Sequence, residues 1–139
     1  MSFRWETYLD LAHAIAPDAH PVRPSAVAQE LESVSDEARY RGAVSRAYYA
    51  ALSVCREYVR VQAPSFSLAG DAREHGDVRR WFLDSSDGDE KKMGRHLKIL
   101  AEWRRQADYE TILTNFNWKQ TACGALKLAE EVCQRIEQP

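Results

Sequence analysis

Apolar residues recur every three to four positions along nearly the whole chain, and no stretch alternates apolar with polar as a half-buried strand would. The pattern predicts a first helix over about Arg4 to Ala16, with Tyr8, Leu9, Ala12 and Ile15 on one face. Three prolines in "APDAHPVRPS" end it, and Ser25 is a suitable N-cap for a short helix reaching Val34. "SDE" at Ser35 to Glu37 then starts the longest helix, about Asp36 to Gln62. "APSFSLAGD" is a loop, and a helix from about Arg73 to Leu83 follows it. Beyond the polar turn "DSSDGDE", helices are predicted over Glu90 to about Gln106 and over about Lys119 to Ile136. The last places Ala122, Leu126, Ala129, Val132 and Ile136 at core spacing. The expected fold is all-α: an up-and-down bundle of about five to six helices in a single domain over residues 1 to 139, with no internal repeat.

The long helix divides into two faces at about 100° per residue. Val44, Ala47, Tyr48, Ala51, Cys55 and Tyr58 form an apolar side that predicts core. Arg46, Tyr49, Ser53, Arg56 and Arg60 form the opposite stripe. Arginines alone would suit a solvated face. Tyr49 does not, because an exposed ring there costs solvation unless a cleft wall or a second chain covers it.

Composition narrows the setting. The chain is 45% apolar and 29% charged, ordinary for a globular protein whose length can bury a core. No apolar run approaches the ~20 residues of a membrane span, and "MSFRWETYLD" lacks the apolar segment of a secretion signal, so a cytoplasmic protein without membrane contact is expected. Cys55, Cys123 and Cys133 are odd in number, show no CxxC spacing and fall in apolar helical stretches; buried reduced thiols are expected, with no metal site and no cofactor. The net charge of −2 confines any anion site to a local patch.

Two further stretches carry candidate chemistry. In "EWRRQADYE", Arg104 and Asp108 are four apart, as are Arg105 and Tyr109, while Arg105 and Asp108 are three apart. On a continuing helix these pairs meet, giving either a surface ion pair or an arginine fork fixed by Asp108 and aimed at a phosphate. In "REHGDV", Gly76 and Asp77 suit a helix start, which places His75 near a helix N-terminus beside Arg73. The helix dipole disfavours the imidazolium there, leaving a neutral ring able to take up a proton; the alternative is a merely exposed loop histidine. His13, near the core stripe of the first helix, His20, among prolines, and His96 are weaker candidates. Gly70–Asp71 and Asp87–Gly88 are turns, since neither has phosphate-loop spacing, and "DSSDGDE" lacks the register of a calcium loop.

Taken in order, "RGAVSRAYYAAL", "EHGDVRRWF" and "LKILAEWRRQADYE" resemble the HEPN superfamily, and more narrowly its small stand-alone prokaryotic branch with a Ser-Arg-Ala-Tyr-Tyr-Ala hallmark. The resemblance runs from about Ser25 to the C-terminus, and residues 1 to 24 carry none of it. It implies a bundle of roughly five helices pairing into a two-fold homodimer, in prokaryotic toxin–antitoxin pairs or defence systems. An antitoxin or a small nucleotidyltransferase is the partner it implies. Many relatives are metal-independent ribonucleases whose site is an arginine followed four to six residues later by a histidine, doubled across the dimer cleft.

This sequence departs from that motif, with Asp108 and Tyr109 where the histidine would stand and no histidine beyond His96. The expected function is therefore binding of RNA or a nucleotide at an Arg/Tyr/His cleft near the dimer interface. The alternatives are a metal-independent ribonuclease toxin using His75 with Arg46 and Arg105, and a non-catalytic structural dimer or partner-binding module. The candidate set is Arg46, His75 and Arg105 for catalysis, and Ser45, Tyr49, Arg104, Asp108 and Tyr109 for substrate binding.

Overall fold

The computed structural model describes residues 6–16, 36–71, 73–110 and 116–137. Five helices occur among them: α1 (Glu6–Ile15), α2 (Asp36–Gln62), α3 (Arg73–Leu83), α4 (Gly88–Tyr109) and α5 (Trp118–Glu137). The expected short helix from Ser25 to Val34, and the start of the first helix at Arg4, lie outside the described residues.

Local chemistry sets the helix starts. The Asp71 carboxylate accepts from the Arg73 backbone N–H (2.9 Å) at the head of α3, after Gly70 has turned the chain at φ 73°. Asp87 caps α4, accepting from the Glu90 N–H at 2.9 Å. Helix α4 therefore begins at Gly88, two residues before the expected Glu90, and runs on through Tyr109 rather than ending at Gln106. Asn117 does the same for α5, accepting from the Gln120 N–H at 3.0 Å.

Helix α2 is the axis of the bundle and packs most extensively against α5, α1 and α4, with α3 closing on α4. Ala43, Ala47, Ala50 and Ala51 are fully buried, and their small side chains let several neighbours approach at once. The core continues through Tyr48, Cys55 and Val59 to Phe82 of α3, Leu97 and Leu100 of α4, and Leu126 and Val132 of α5. The anticipated face of α5 is buried at Ala122, Leu126, Ala129 and Val132, while Ile136 is half-buried. On α1, Leu9 and Ala12 are buried but Tyr8 and Ile15 only half so; His13 lies wholly inside, its Nε2 2.8 Å from Glu130 Oε1.

Two expectations need correcting. The two-faced description of α2 fails at its centre, where Ala50, Leu52, Ser53 and Val54 are buried along with the designated core side. Helices close around this segment from several directions, so Ser53 is interior and Tyr58 only half-buried. Among the cysteines, Cys55 and Cys133 are buried but Cys123 is half-buried, and none forms a disulfide. Burial pushes the Cys55 thiol well up from its ordinary value. Among the described residues no helix is long and apolar enough to cross a membrane.

A close crossing brings α4 onto the end of α3. A Cβ at Gly94 would lie 2.9 Å from the Leu83 backbone nitrogen and 3.0 Å from its side chain. Gly94→Ala should therefore destabilise the fold by about 1–3 kcal/mol in urea unfolding. Gly88→Ala, where an added Cβ meets nothing within 4 Å, should stay within about 0.5 kcal/mol of wild type. Equal stability of the two variants would contradict this crossing.

Candidate functional site

Helices α2, α3 and α4 enclose a cleft of about 650 Å³, within the size range of small-ligand sites. Tyr48 and Tyr49 line it from α2, His75, Arg79 and Arg80 from α3, and Arg104 and Tyr109 from α4. Four arginines reach the cleft, counting Arg73, against the single acidic residue Asp77 in its lining. The wall is thus locally cationic on a chain whose net charge is −2.

Arg104 holds the centre. Its guanidinium carbon lies 5.1 Å from the centroid of the Tyr48 ring and 5.8 Å from those of Tyr49 and Tyr109. Three aromatic faces around one guanidinium are favourable and restrict its orientation. Asp108 completes the arrangement: its Oδ2 is 3.8 Å from Arg104 Nη1 and accepts from the Ser45 hydroxyl at 3.3 Å. The Arg104–Asp108 ion pair expected in "RRQADY" is therefore present, and Ser45 ties Asp108 back to α2.

The long helix supplies Tyr48 as well as Tyr49. Tyr48 itself is 1% exposed, and its hydroxyl lies 3.2 Å from His75 Nδ1. The His75 ring also meets Tyr49, with centroids 6.0 Å apart and planes at 79°. Burial lowers the His75 pKa, and Arg104, Arg56 and Arg79 lower it further, opposed by Glu74. Burial raises the Tyr48 pKa, more than Arg104 and Arg79 offset. At neutral pH the site therefore holds a neutral imidazole against a protonated phenol, amid fixed positive charge. His75 lies two residues inside the start of α3, where the helix dipole also disfavours the imidazolium.

Not every candidate residue meets here. Tyr49, His75, Arg104 and Tyr109 line the cleft, and Ser45 and Asp108 brace it. Arg46 is outside the lining, exposed, with its guanidinium 5.8 Å from the Tyr8 ring of α1. Arg105 is also outside. It makes 2.8 Å ion pairs with Glu102 and Glu110 rather than reaching Asp108 or Tyr109, and these carboxylates raise its pKa. One helical residue beyond Arg104 is a turn of about 100°, enough to carry Arg105 off the cleft. The expected catalytic set of Arg46, His75 and Arg105 is therefore not assembled within the chain. Arg56 and Arg60, the outer part of the α2 stripe, lie 4.0 and 3.6 Å from the buried Glu74 of α3. Arg56 is thereby half-buried against α3, while Arg60 stays exposed.

The sequence reading overlooked Tyr48, Arg79, Arg80 and Arg41. Tyr48 was assigned to the core by its spacing, correctly for its ring, and an adjacent tyrosine pair facing a histidine-bearing helix was the available signal. Arg41 donates to the carbonyls of Ala107 (3.3 Å) and Glu110 (2.6 Å) and stacks 4.5 Å over Trp118. It thereby anchors the end of α4, and Tyr109 with it, to α2. Among the described residues no group of three or more histidine, cysteine or acidic side chains could hold a metal ion. Comparison of the chain with protein-family models, curated proteins and solved structures finds no match.

The His75 environment has a pH signature. Its pKa is lowered in the folded state, so the unfolded chain takes up a proton first as pH falls from about 6.5, the ordinary histidine value. The contribution to stability is fully present above about 6.5 and is lost as pH falls towards the folded pKa. In an NMR titration the His75 ring should have its midpoint below 6.5, and His75→Asn should flatten this part of the stability–pH curve. A midpoint at or above 6.5 would contradict the burial described.

Proposed function

We propose that this chain is a HEPN-domain protein of a prokaryotic toxin–antitoxin or defence system, binding RNA or a nucleotide through the cleft between α2, α3 and α4. The observation that carries the binding role is Arg104, oriented by three tyrosines and Asp108 on a wall shared with Arg79, Arg80 and His75. A planar guanidinium matches phosphate oxygens in pairs, and exposed tyrosine faces accept bases by stacking. Tyr109 is 70% exposed and Tyr49 is half-buried, so ring surface is open beside the cationic wall.

The resemblance carried by "SRAYYAAL" and "RRQADYE" supports the family, the pairing into a two-fold homodimer and an antitoxin or nucleotidyltransferase partner. Binding is favoured over cleavage. The ribonuclease alternative requires His75 to work with Arg46 and Arg105, and only His75 of these lines the cleft. A purely structural dimer gives no reason for a cluster of arginines and tyrosines around a half-buried histidine.

Fluorescence anisotropy with a labelled single-stranded RNA in EDTA tests the proposal. Wild type should bind with an affinity that falls as salt rises, because displaced counterions accompany phosphate contacts. Arg104→Ala should weaken binding about tenfold or more, a loss of about 1.4 kcal/mol. Arg105→Ala, which removes an arginine outside the cleft, should stay within about twofold. No binding by wild type at low salt, or equal losses in both variants, would overturn the assignment.

A further inference from the structure

The hydrogen bond between Tyr48 and His75 decides what the imidazole can offer a ligand. A buried phenolic hydroxyl that finds no acceptor costs the desolvation of its O–H. Tyr48 is 1% exposed, and its hydroxyl has two hydrogen-bonding neighbours among the described residues, His75 Nδ1 at 3.2 Å and the Arg104 guanidinium, which can only donate to it. The positive charges of Arg104 and Arg79 bear on the same hydroxyl. They draw its lone pairs towards themselves and turn the O–H dipole away. If Nδ1 carried the imidazole proton and donated to the phenol, the Tyr48 proton would be left buried without an acceptor. The favoured arrangement has Tyr48 donating and Nδ1 accepting. A neutral imidazole accepting at Nδ1 carries its proton on Nε2. That nitrogen has no hydrogen-bond partner among the described residues, and the ring lines the cleft.

We propose that Tyr48 is a positioning residue that fixes His75 as the Nε2–H tautomer, so that the imidazole meets a ligand phosphate as a hydrogen-bond donor and not as a base. This rests on the cleft being a nucleotide or RNA site and makes its polar wall more specific. With Arg79, Arg80 and Arg104, His75 completes a set of donors that a phosphate oxygen can satisfy. A base-catalysed attack by a ribose hydroxyl would instead need an unprotonated imidazole nitrogen facing the ligand, and the only one in this arrangement is occupied by Tyr48.

Long-range ¹H–¹⁵N NMR of the full chain at pH 7.5, where neutral His75 dominates, reads the tautomer directly and needs no ligand. Wild type should show the proton on Nε2, and Tyr48→Phe should lose this preference and give a mixture. A dominant Nδ1–H form in wild type, or an unchanged tautomer in a folded Tyr48→Phe, overturns the positioning role. Should Tyr48→Phe fail to fold, the wild-type tautomer still decides between the two arrangements.

Titration with 5′-AMP then tests the donor role. His75→Gln keeps an N–H donor and should bind within about threefold of wild type, whereas His75→Ala should lose about tenfold, which is about 1.4 kcal/mol. Equal losses in both variants overturn the donor role. If wild type shows the Nε2–H tautomer but binds neither 5′-AMP nor RNA, the nucleotide assignment and the phosphate-donor role fall with it, while the Tyr48–His75 arrangement stands.

Discussion

A tyrosine ring sealed in the core, with its hydroxyl delivered to the edge of a cleft, is the constraint around which this molecule is arranged. Tyr48 reaches that position only because α2 is surrounded by other helices at its centre, with small alanines letting them close in. The hydroxyl then needs an acceptor, and α3 supplies one by presenting His75 from its first turn. The face of the same ring meets the Arg104 guanidinium of α4. One side chain on α2 thus joins the other two walls of the cleft, and the bundle's packing and its candidate chemistry share a residue.

Electrostatics explains why an arginine-rich wall is tolerable. Arg73 and Arg80 have carboxylates of their own, Asp71 at 3.0 Å and Asp77 at 3.9 Å, in exposed pairs whose contribution to stability is small. Arg104 is held differently, by Asp108 and by aromatic faces that favour a cation without neutralising it. The Asp108 carboxylate accepts from Ser45 as well, which lowers its capacity to repel an incoming anion. Across the cleft, Arg79 has no ion-pair partner among the described residues and adds to the field that keeps His75 neutral. The result is a local positive potential inside a weakly acidic protein, suited to an anion that can also stack.

Helical periodicity was enough to indicate an all-α bundle and the placement of α2, α3 and α5, because the core stripes there repeat at the helical interval. The ends of α4 were less legible. Asp87 and Gly88 looked like a turn, and the cap they form is visible only once the Asp87 carboxylate reaches the Glu90 N–H. Arg104, Asp108 and His75 were legible as candidates because four-residue spacing and a position near a helix start have direct physical meaning. Arg46 and Arg105 were overrated. Their place on a helical wheel says which side they leave from, but the neighbours that claim them, Tyr8 for one and Glu102 with Glu110 for the other, depend on packing and local ion pairs. Tyr48 was underrated for a related reason. Periodicity reports where a ring is buried and is silent on where its hydroxyl ends.

The central claim is that one cleft gathers the phosphate-binding and base-stacking groups of α2, α3 and α4. Side-chain NMR during titration with a mononucleotide addresses it most directly. Signals of Tyr49, His75, Arg104 and Tyr109 should shift together with a single dissociation constant, while those of Arg46 and Arg105 stay in place. Shifts centred on Arg46 and Arg105, with the cleft tyrosines and His75 unmoved, would contradict the account.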